Sequence, residues 1–322
     1  MPQPTPKPVV LSFLGNPSRP VASVPLELRQ ARVEEFLQAR ALAPKTQQAY
    51  RQDLQVFQQW TDVPWQSLTP RHITQFKMHL LRTEDGKRVY KETSVARILG
   101  TLKNFCGWLY RSRYLTLDPS TEVSLPKLPE PEANNLSTAR VNIIFDAIQS
   151  TALPERNLAL LALLAHGLRP GEPCGLDVGD FAGDLIHIRH AKANSTGQVP
   201  LEEWAVNAVA NYLGWRLLQG ESLANDSPLF VSHSHRNQGQ RLKYDTVKKL
   251  VAQLRSIVGF EFHAHQFRHT FATDLVLQGV NPYHVQTLTR HKDQRSFRRY
   301  TKAADSQAAI NAFRAAKSKL PE

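Results

Sequence analysis

The stretch His265-Gln266-Phe267-Arg268-His269-Thr270-Phe271-Ala272-Thr273, with His291 and Tyr300 downstream, decides how the rest of the chain is read. His265 and Arg268 are three residues apart and share one face of a helix. Phe267, Phe271, Leu275 and Val276 give that helix an apolar side, and Gly279 closes it. Tyr300 lies in a basic run, since residues 286–302 hold six Lys or Arg against one Asp. A tyrosine with an ordinary pKa of about 10 needs positive charge or a base beside it before it can attack. A phenol in a cationic pocket is therefore the arrangement that cleavage of a phosphodiester by a side chain requires.

The rest of the composition agrees with a polyanionic partner. The 322 residues carry a net charge of +12, with a sequence pI of about 9.8, an excess that favours nucleic acid. Residues 27–113 hold 15 basic against eight acidic residues, and residues 136–322 hold 22 against 16. Hydrophobic content of 41% and charged content of 21% are those of a globular chain. Two cysteines, Cys106 and Cys174, exclude a disulfide framework and a Cys-rich zinc site, and fit a reducing compartment. No run approaches about 20 apolar residues, and Pro2, Pro4, Pro6 and Pro8 interrupt the N-terminus. The expectation is a cytoplasmic protein with no membrane segment.

Periodicity divides the chain. Residues 1–25 read as a flexible Pro-rich arm. Residues 26–115 read as an α-helical domain: Tyr50, Leu54, Phe57 and Trp60 share a face, Thr69-Pro70 is a capped helix start, and Val95, Leu99, Leu102, Phe105 and Leu109 line a third helix. Residues 116–135, rich in Pro and Glu, read as a linker. Residues 136–322 form a second domain. Helices are expected at about Ser137–Gln149, Arg156–His166, Glu203–Leu218, Asp245–Val258, His265–Gln278, Pro282–Thr289 and Gln294–Tyr300, and in the tail from Ala303 to Lys317. Leu185–Ile188 and Gln198–Leu201 read as strands of a hairpin, with a further short strand at Pro228–Ser232. The fold expected is mainly α with a small antiparallel β-sheet.

The pattern His-x-Phe-Arg-His-Thr-Phe-Ala-Thr, then Leu-x-x-His, then Tyr resembles the C-terminal box of the tyrosine recombinases, the phage-integrase family. Gly167-Leu168-Arg169-Pro170-Gly171-Glu172 resembles the run that carries that family's first arginine, although Pro170-Gly171 loosens the turn. Lys192, nine positions before Leu201 in a hairpin that ends Val199-Pro200-Leu201, matches its general-acid lysine. The Lys45–Trp60 run resembles its core-binding helical domain. Arg290 departs from the family, which often has glycine before the histidine.

The resemblance implies a catalytic set of Arg169, Lys192, His265, Arg268, His291 and Tyr300. The arginines offer planar donor forks for a phosphate, the histidines donate or move protons, and Glu172 supports them. It implies a site-specific recombinase working through a 3′-phosphotyrosyl link, with no cofactor and no metal. It also implies double-stranded DNA as partner, and a homotetramer on two sites held by an exchanged C-terminal tail. A type IB topoisomerase would share the chemistry, and a catalytically silent DNA-binding protein is the non-enzyme alternative. A metal site built from His263, His265, His269 and His291 is the rival reading of the histidines; it lacks an acidic or thiol partner and sits among cations. His263 and His269 are expected to be structural.

Overall fold

The computed structural model describes residues 26–129, 134–189, 195–293, 297, 298, 300–302, 310, 313 and 314. The chain divides into two compact units, Met1–Pro129 and Glu130–Glu322.

In the first unit, α1 (Leu26–Gln38), α2 (Pro44–Trp60), α3 (Pro70–Leu80) and α4 (Glu92–Arg111) pack around Val33, Phe36, Leu54, Phe57, Trp65, Ile73, Phe76, Leu102 and Phe105, all buried. The start of α3 is capped reciprocally. Thr69 Oγ1 accepts from the His72 N–H, and the His72 ring accepts from the Thr69 N–H. Between α3 and α4 lies a hairpin of two-residue strands, β1 (Thr83–Glu84) and β2 (Lys87–Arg88). Asp85 and Gly86 turn it with φ of 51° and 72°, the left-handed pair that a two-residue hairpin loop demands. The start of the expected linker packs on this unit. Lys103 Nζ donates to the carbonyls of Ser120 and Val123, and Lys77 Nζ donates to that of Ser124.

In the second unit, α5 (Thr138–Ala147) begins at Ser137, whose hydroxyl accepts from the Arg140 N–H. The apolar α6 (Pro154–Ala165) follows, its Leu160, Leu161, Leu163 and Leu164 fully enclosed. A three-stranded antiparallel sheet comes next: β3 (Phe181–Ala182), β4 (Leu185–Ile188) and β5 (Gly197–Pro200), with Ile186 opposite Val199 and Ile188 opposite Gly197. Then come α7 (Glu203–Leu218), α8 (Tyr244–Val258), α9 (Ala264–Leu277) and α10 (Pro282–Thr289). The strand expected at Pro228–Ser232 is not formed; the segment makes only isolated bridges, Asp177 to Pro228 and Val231 to Arg241. The buried Arg216 guanidinium takes the carbonyls of Pro228 and Leu229, acceptors that a ladder would otherwise have used.

Of the helix expected at Gln294–Tyr300, residues 297, 298 and 300 are helical, and 294–296 and 299 lie outside the described residues. Most of the expected tail helix lies outside them too. No helix among the described residues is long and apolar enough to cross a membrane.

Candidate active site

Helix α6 is stopped by Gly167 at φ 81°. A Cβ there would sit 2.5 Å from Phe271 Cδ1, so glycine meets both the left-handed backbone and the close approach of α9. That turn presents two groups. Its Gly167 carbonyl accepts from Arg268 Nη1 at 2.5 Å, and two residues on, Arg169 points back into the unit. Arg268, on α9, is fully enclosed. Its Nη2 donates to the Thr289 carbonyl at the end of α10 and lies 3.5 Å from His291 Nδ1. One guanidinium thus ties α9, the turn after α6 and the end of α10. Burial, then the neighbouring charges of Arg169 and Arg290, pull its pKa down to about 9, which leaves it charged at neutral pH.

Arg169 is held on several sides. Nη1 donates to Glu172 Oε1 at 2.7 Å and to Ser195 Oγ at 2.8 Å, and Nη2 donates to the Arg290 carbonyl at 2.8 Å. Glu172, itself buried, also accepts from the Arg169 backbone N–H and from Arg290 Nη2, both at 2.7 Å. Arg290 is the left-handed residue that ends α10, at φ 55° and ψ 42°. A side chain in that region costs on the order of 1 kcal/mol and persists where its surroundings fix it. Burial lowers the Arg290 pKa, and Glu172 opposes that.

His291 follows directly. Thr289 Oγ1 lies 2.7 Å from both the Val285 carbonyl and His291 Nδ1. Both contacts are satisfied when the threonine donates to Val285 and His291 Nδ1–H donates to the threonine, which leaves Nε2 to carry a lone pair or the second proton. Tyr300 is 1% exposed and packs with Ala272, Val276, Val285 and Phe297. Its ring centroid is 5.4 Å from that of His291 and 5.2 Å from that of His269. His265 is exposed on the first turn of α9, its ring 4.8 Å from that of His269. An open pocket of about 410 Å³ beside His291 is lined by Ser195, Thr196, Tyr283, Gln286, Arg290 and Lys292, among others.

The structure therefore gathers Arg169, Glu172, Arg268, His291 and Tyr300, and places His265 at the rim one imidazole away. Lys192 lies outside the described residues. Ser195, Thr289 and Arg290 touch this set without having been singled out for it. No local pattern marks a residue whose role comes from a neighbour distant in sequence. His269 takes the Asn134 N–H on Nδ1 at 3.2 Å, so that nitrogen is engaged and the imidazole sits between Asn134 and Tyr300. Among the described residues no group of three His, Cys, Asp or Glu side chains is placed to hold a metal.

Two guanidinium forks, imidazoles and a phenol in one partly enclosed site describe a protein that handles phosphoryl groups with cations. Residues 134–307 match the Phage integrase family, and residues 33–113 match the Phage integrase N-terminal SAM-like domain. The chain is 31% identical over 293 residues to the tyrosine recombinase XerD of Proteus mirabilis, covering 86% of this chain and 90% of that one. It is 32% identical over 286 residues to the XerD of Yersinia pestis, covering 84% and 92%. Among solved structures, a lambda integrase dimer (residues 75–356) bound to a COC′ core site matches at TM-score 0.66 and 18% identity, over 85% of this chain and 94% of that one, a likeness of fold. The chain belongs to the phage integrase family. It is a tyrosine-type site-specific recombinase, an enzyme that breaks and rejoins DNA strands.

Proposed function

We propose that Tyr300 is the nucleophile and that Arg169 and Arg268 grip the scissile phosphate. The phenol oxygen forms a bond to phosphorus while the bond from phosphorus to the 5′ oxygen breaks, leaving a 3′-phosphotyrosyl link and a free 5′ hydroxyl. His265 and His291 donate to the non-bridging oxygens or accept the phenolic proton, and Lys192 protonates the leaving 5′ oxygen. Attack by the 5′ hydroxyl of another strand reverses the step. The energy of the broken bond stays in the covalent intermediate, so no cofactor or metal is assigned.

The observation that carries this reading is Arg268. A fully enclosed guanidinium reaches the turn that bears Arg169 and the turn that bears His291, beside the Tyr300 ring. Because Tyr300 and Arg268 are both almost fully enclosed, engagement of the phosphate requires the Tyr300 side chain to turn outward and uncover the Arg268 guanidinium.

The partner proposed is duplex DNA at specific sites. The lambda integrase and Tn1549 integrase structures that share the fold are complexes with DNA, one of them a tetramer on a Holliday junction. A homotetramer on two sites, with the segment after Tyr300 passed to a neighbouring protomer, is the assembly we propose, working in the cytoplasm.

The test uses nicked suicide duplexes made from fragments of host genomic DNA. A denaturant-stable protein–DNA adduct is expected with the wild-type chain and none with Tyr300→Phe. An adduct of equal yield in Tyr300→Phe would place the nucleophile elsewhere.

A further inference from the structure

Resting on the reading of Arg169 and Tyr300 above, we propose that Arg290 is a positioning residue of the cleavage site. Its side chain, laid over Gly197 and fixed to Glu172, orients Arg169 and shapes the turn that presents His291.

The residue before His291 must take the left-handed backbone that ends α10, and glycine would take it without steric cost. Here the position carries the bulkiest basic side chain instead, and that side chain is only 3% exposed. Arg290 Nη1 donates back to the Leu288 carbonyl at 2.8 Å, and Nη2 donates to Glu172 Oε2 at 2.7 Å. The other carboxylate oxygen, Oε1, takes Arg169 Nη1. The Arg290 backbone carbonyl accepts from Arg169 Nη2 as well. Arg290 therefore holds Arg169 twice, once directly and once through the shared carboxylate. A guanidinium fork gripped at both terminal nitrogens has its plane fixed before a phosphate arrives.

The strand partner completes the device. At Gly197, the first residue of β5, a Cβ would lie 3.0 Å from Arg290 Cδ and 3.2 Å from Arg290 Cγ. The arginine stem thus occupies the space that a side chain at 197 would fill. Two residues earlier, Ser195 Oγ accepts from Arg169 Nη1. The return strand of the hairpin, the histidine turn and the first arginine are interlocked at one point, and the missing side chain at 197 makes room for the lock.

A stabilising ion pair with no part in the reaction is the competing account. Buried ion pairs are poor stabilisers compared with apolar packing of the same volume, and the two accounts differ in what the variants do.

The test uses the full chain, a nicked suicide duplex of the sequence recovered by trapping, and single-turnover adduct formation. It compares Arg290→Gln, Arg290→Lys, Arg290→Gly, Gly197→Ala and the Gly197→Ala/Arg290→Gly double variant, with melting temperature and DNA affinity measured on each. Arg290→Gln should slow adduct formation on the order of 10- to 100-fold, as loss of a supporting partner and a small misplacement do, while DNA affinity and folding are retained. Arg290→Lys, which keeps a charge at Glu172, should recover part of the rate. Gly197 also has φ 158°, so Gly197→Ala carries a backbone cost in any background; it should slow the wild type clearly more than the Arg290→Gly variant, where the space is vacant and only that cost is left. An unchanged rate in Arg290→Gln, or an equal effect of Gly197→Ala in both backgrounds, overturns the proposal.

The Arg169 side-chain Nε–H resonance, assigned with Arg169→Lys, gives a readout independent of cleavage. It should move in Arg290→Gln, and in Gly197→Ala further while Arg290 is present than in the Arg290→Gly background. A resonance that stays in place overturns the proposal even if cleavage is altered. A resonance that moves in a chain forming no Tyr300-dependent adduct upholds the positioning role and rejects the nucleophile assignment.

Discussion

Removing the Glu172 carboxylate should destabilise the second unit by an amount the geometry allows to be bounded. Its side chain is 6% exposed and faces Arg290 at 3% and Arg169 at 27%. It accepts three donors, each at 2.7 Å. In Glu172→Ala the Arg290 guanidinium is left buried without its counter-charge, and breaking a buried pair costs about 3–5 kcal/mol. Arg169 softens the loss, because it is partly exposed and keeps Ser195 and the Arg290 carbonyl as acceptors. We therefore expect the lower end, about 3 kcal/mol. For a unit spanning Glu130–Glu322, each kcal/mol is worth about 2–4 °C, so the melting temperature should fall by about 6–12 °C. Glu172→Gln keeps the volume and one acceptor and should lose roughly half as much. Scanning calorimetry on the full chain measures both, and because the pair is enclosed the difference should persist between about 0.1 and 1 M salt. A Glu172→Ala melting temperature within about 2 °C of wild type would refute the argument that this carboxylate neutralises a buried cation.

Two further perturbations are as specific. Gly167→Ala forces a side chain into a left-handed backbone and against the Phe271 ring, so it should cost about 2–4 kcal/mol in the same calorimetric transition; a neutral result would show that α9 yields easily. His166 is buried with Nδ1 on the Ala162 carbonyl and Nε2 accepting from the Glu202 N–H, and burial lowers its pKa. A lowered histidine pKa means that the unfolded chain binds the proton first, so this contribution is complete above the unfolded value of about 6.5 and is lost as pH falls toward the folded one. Urea titrations between about pH 7 and pH 5 should show falling stability in the wild type and a shallower fall in His166→Gln; parallel curves would remove His166 from the account.

Local pattern carried much of the helical architecture. Asn281, whose side chain accepts from the Tyr283 N–H, and Pro282 at the first helical position set the start of α10 where the sequence puts it. The apolar residues of Leu185–Ile188 marked β4 in the same way. The hairpin of β1 and β2 went unread because two-residue strands are too short to show a period, although Asp85-Gly86 is its turn signal. Pro228–Ser232 has the composition of a strand, but the Arg216 side chain claims the carbonyls of Pro228 and Leu229, and only those of Phe230 and Ser232 pair with backbone. The site divides along the same line. The resemblance to the recombinases pointed to Arg169, Arg268, His291 and Tyr300, which the fold brings together, whereas Ser195, Thr289 and the Arg290–Gly197 contact depend on elements brought together only by folding. Arg290 stood out in the sequence as a departure and acquires a reason from Glu172 and Gly197 together.

The aromatic packing gives the molecule two optical addresses. Trp60, Trp65 and Trp108 lie in the first unit among Phe36, Phe57, Phe76 and Phe105. In the second, Trp204 and Trp215 each have an imidazole against the indole, His166 at 5.1 Å and His233 at 4.9 Å between ring centroids. Burial lowers the pKa of both histidines, so near neutral pH both indoles face neutral rings. An imidazolium quenches indole emission by accepting an electron from the excited ring. Acidification therefore dims the second unit's light through these two pairs, and replacing Trp204 and Trp215 with phenylalanine leaves a chain whose tryptophan emission speaks for the first unit alone.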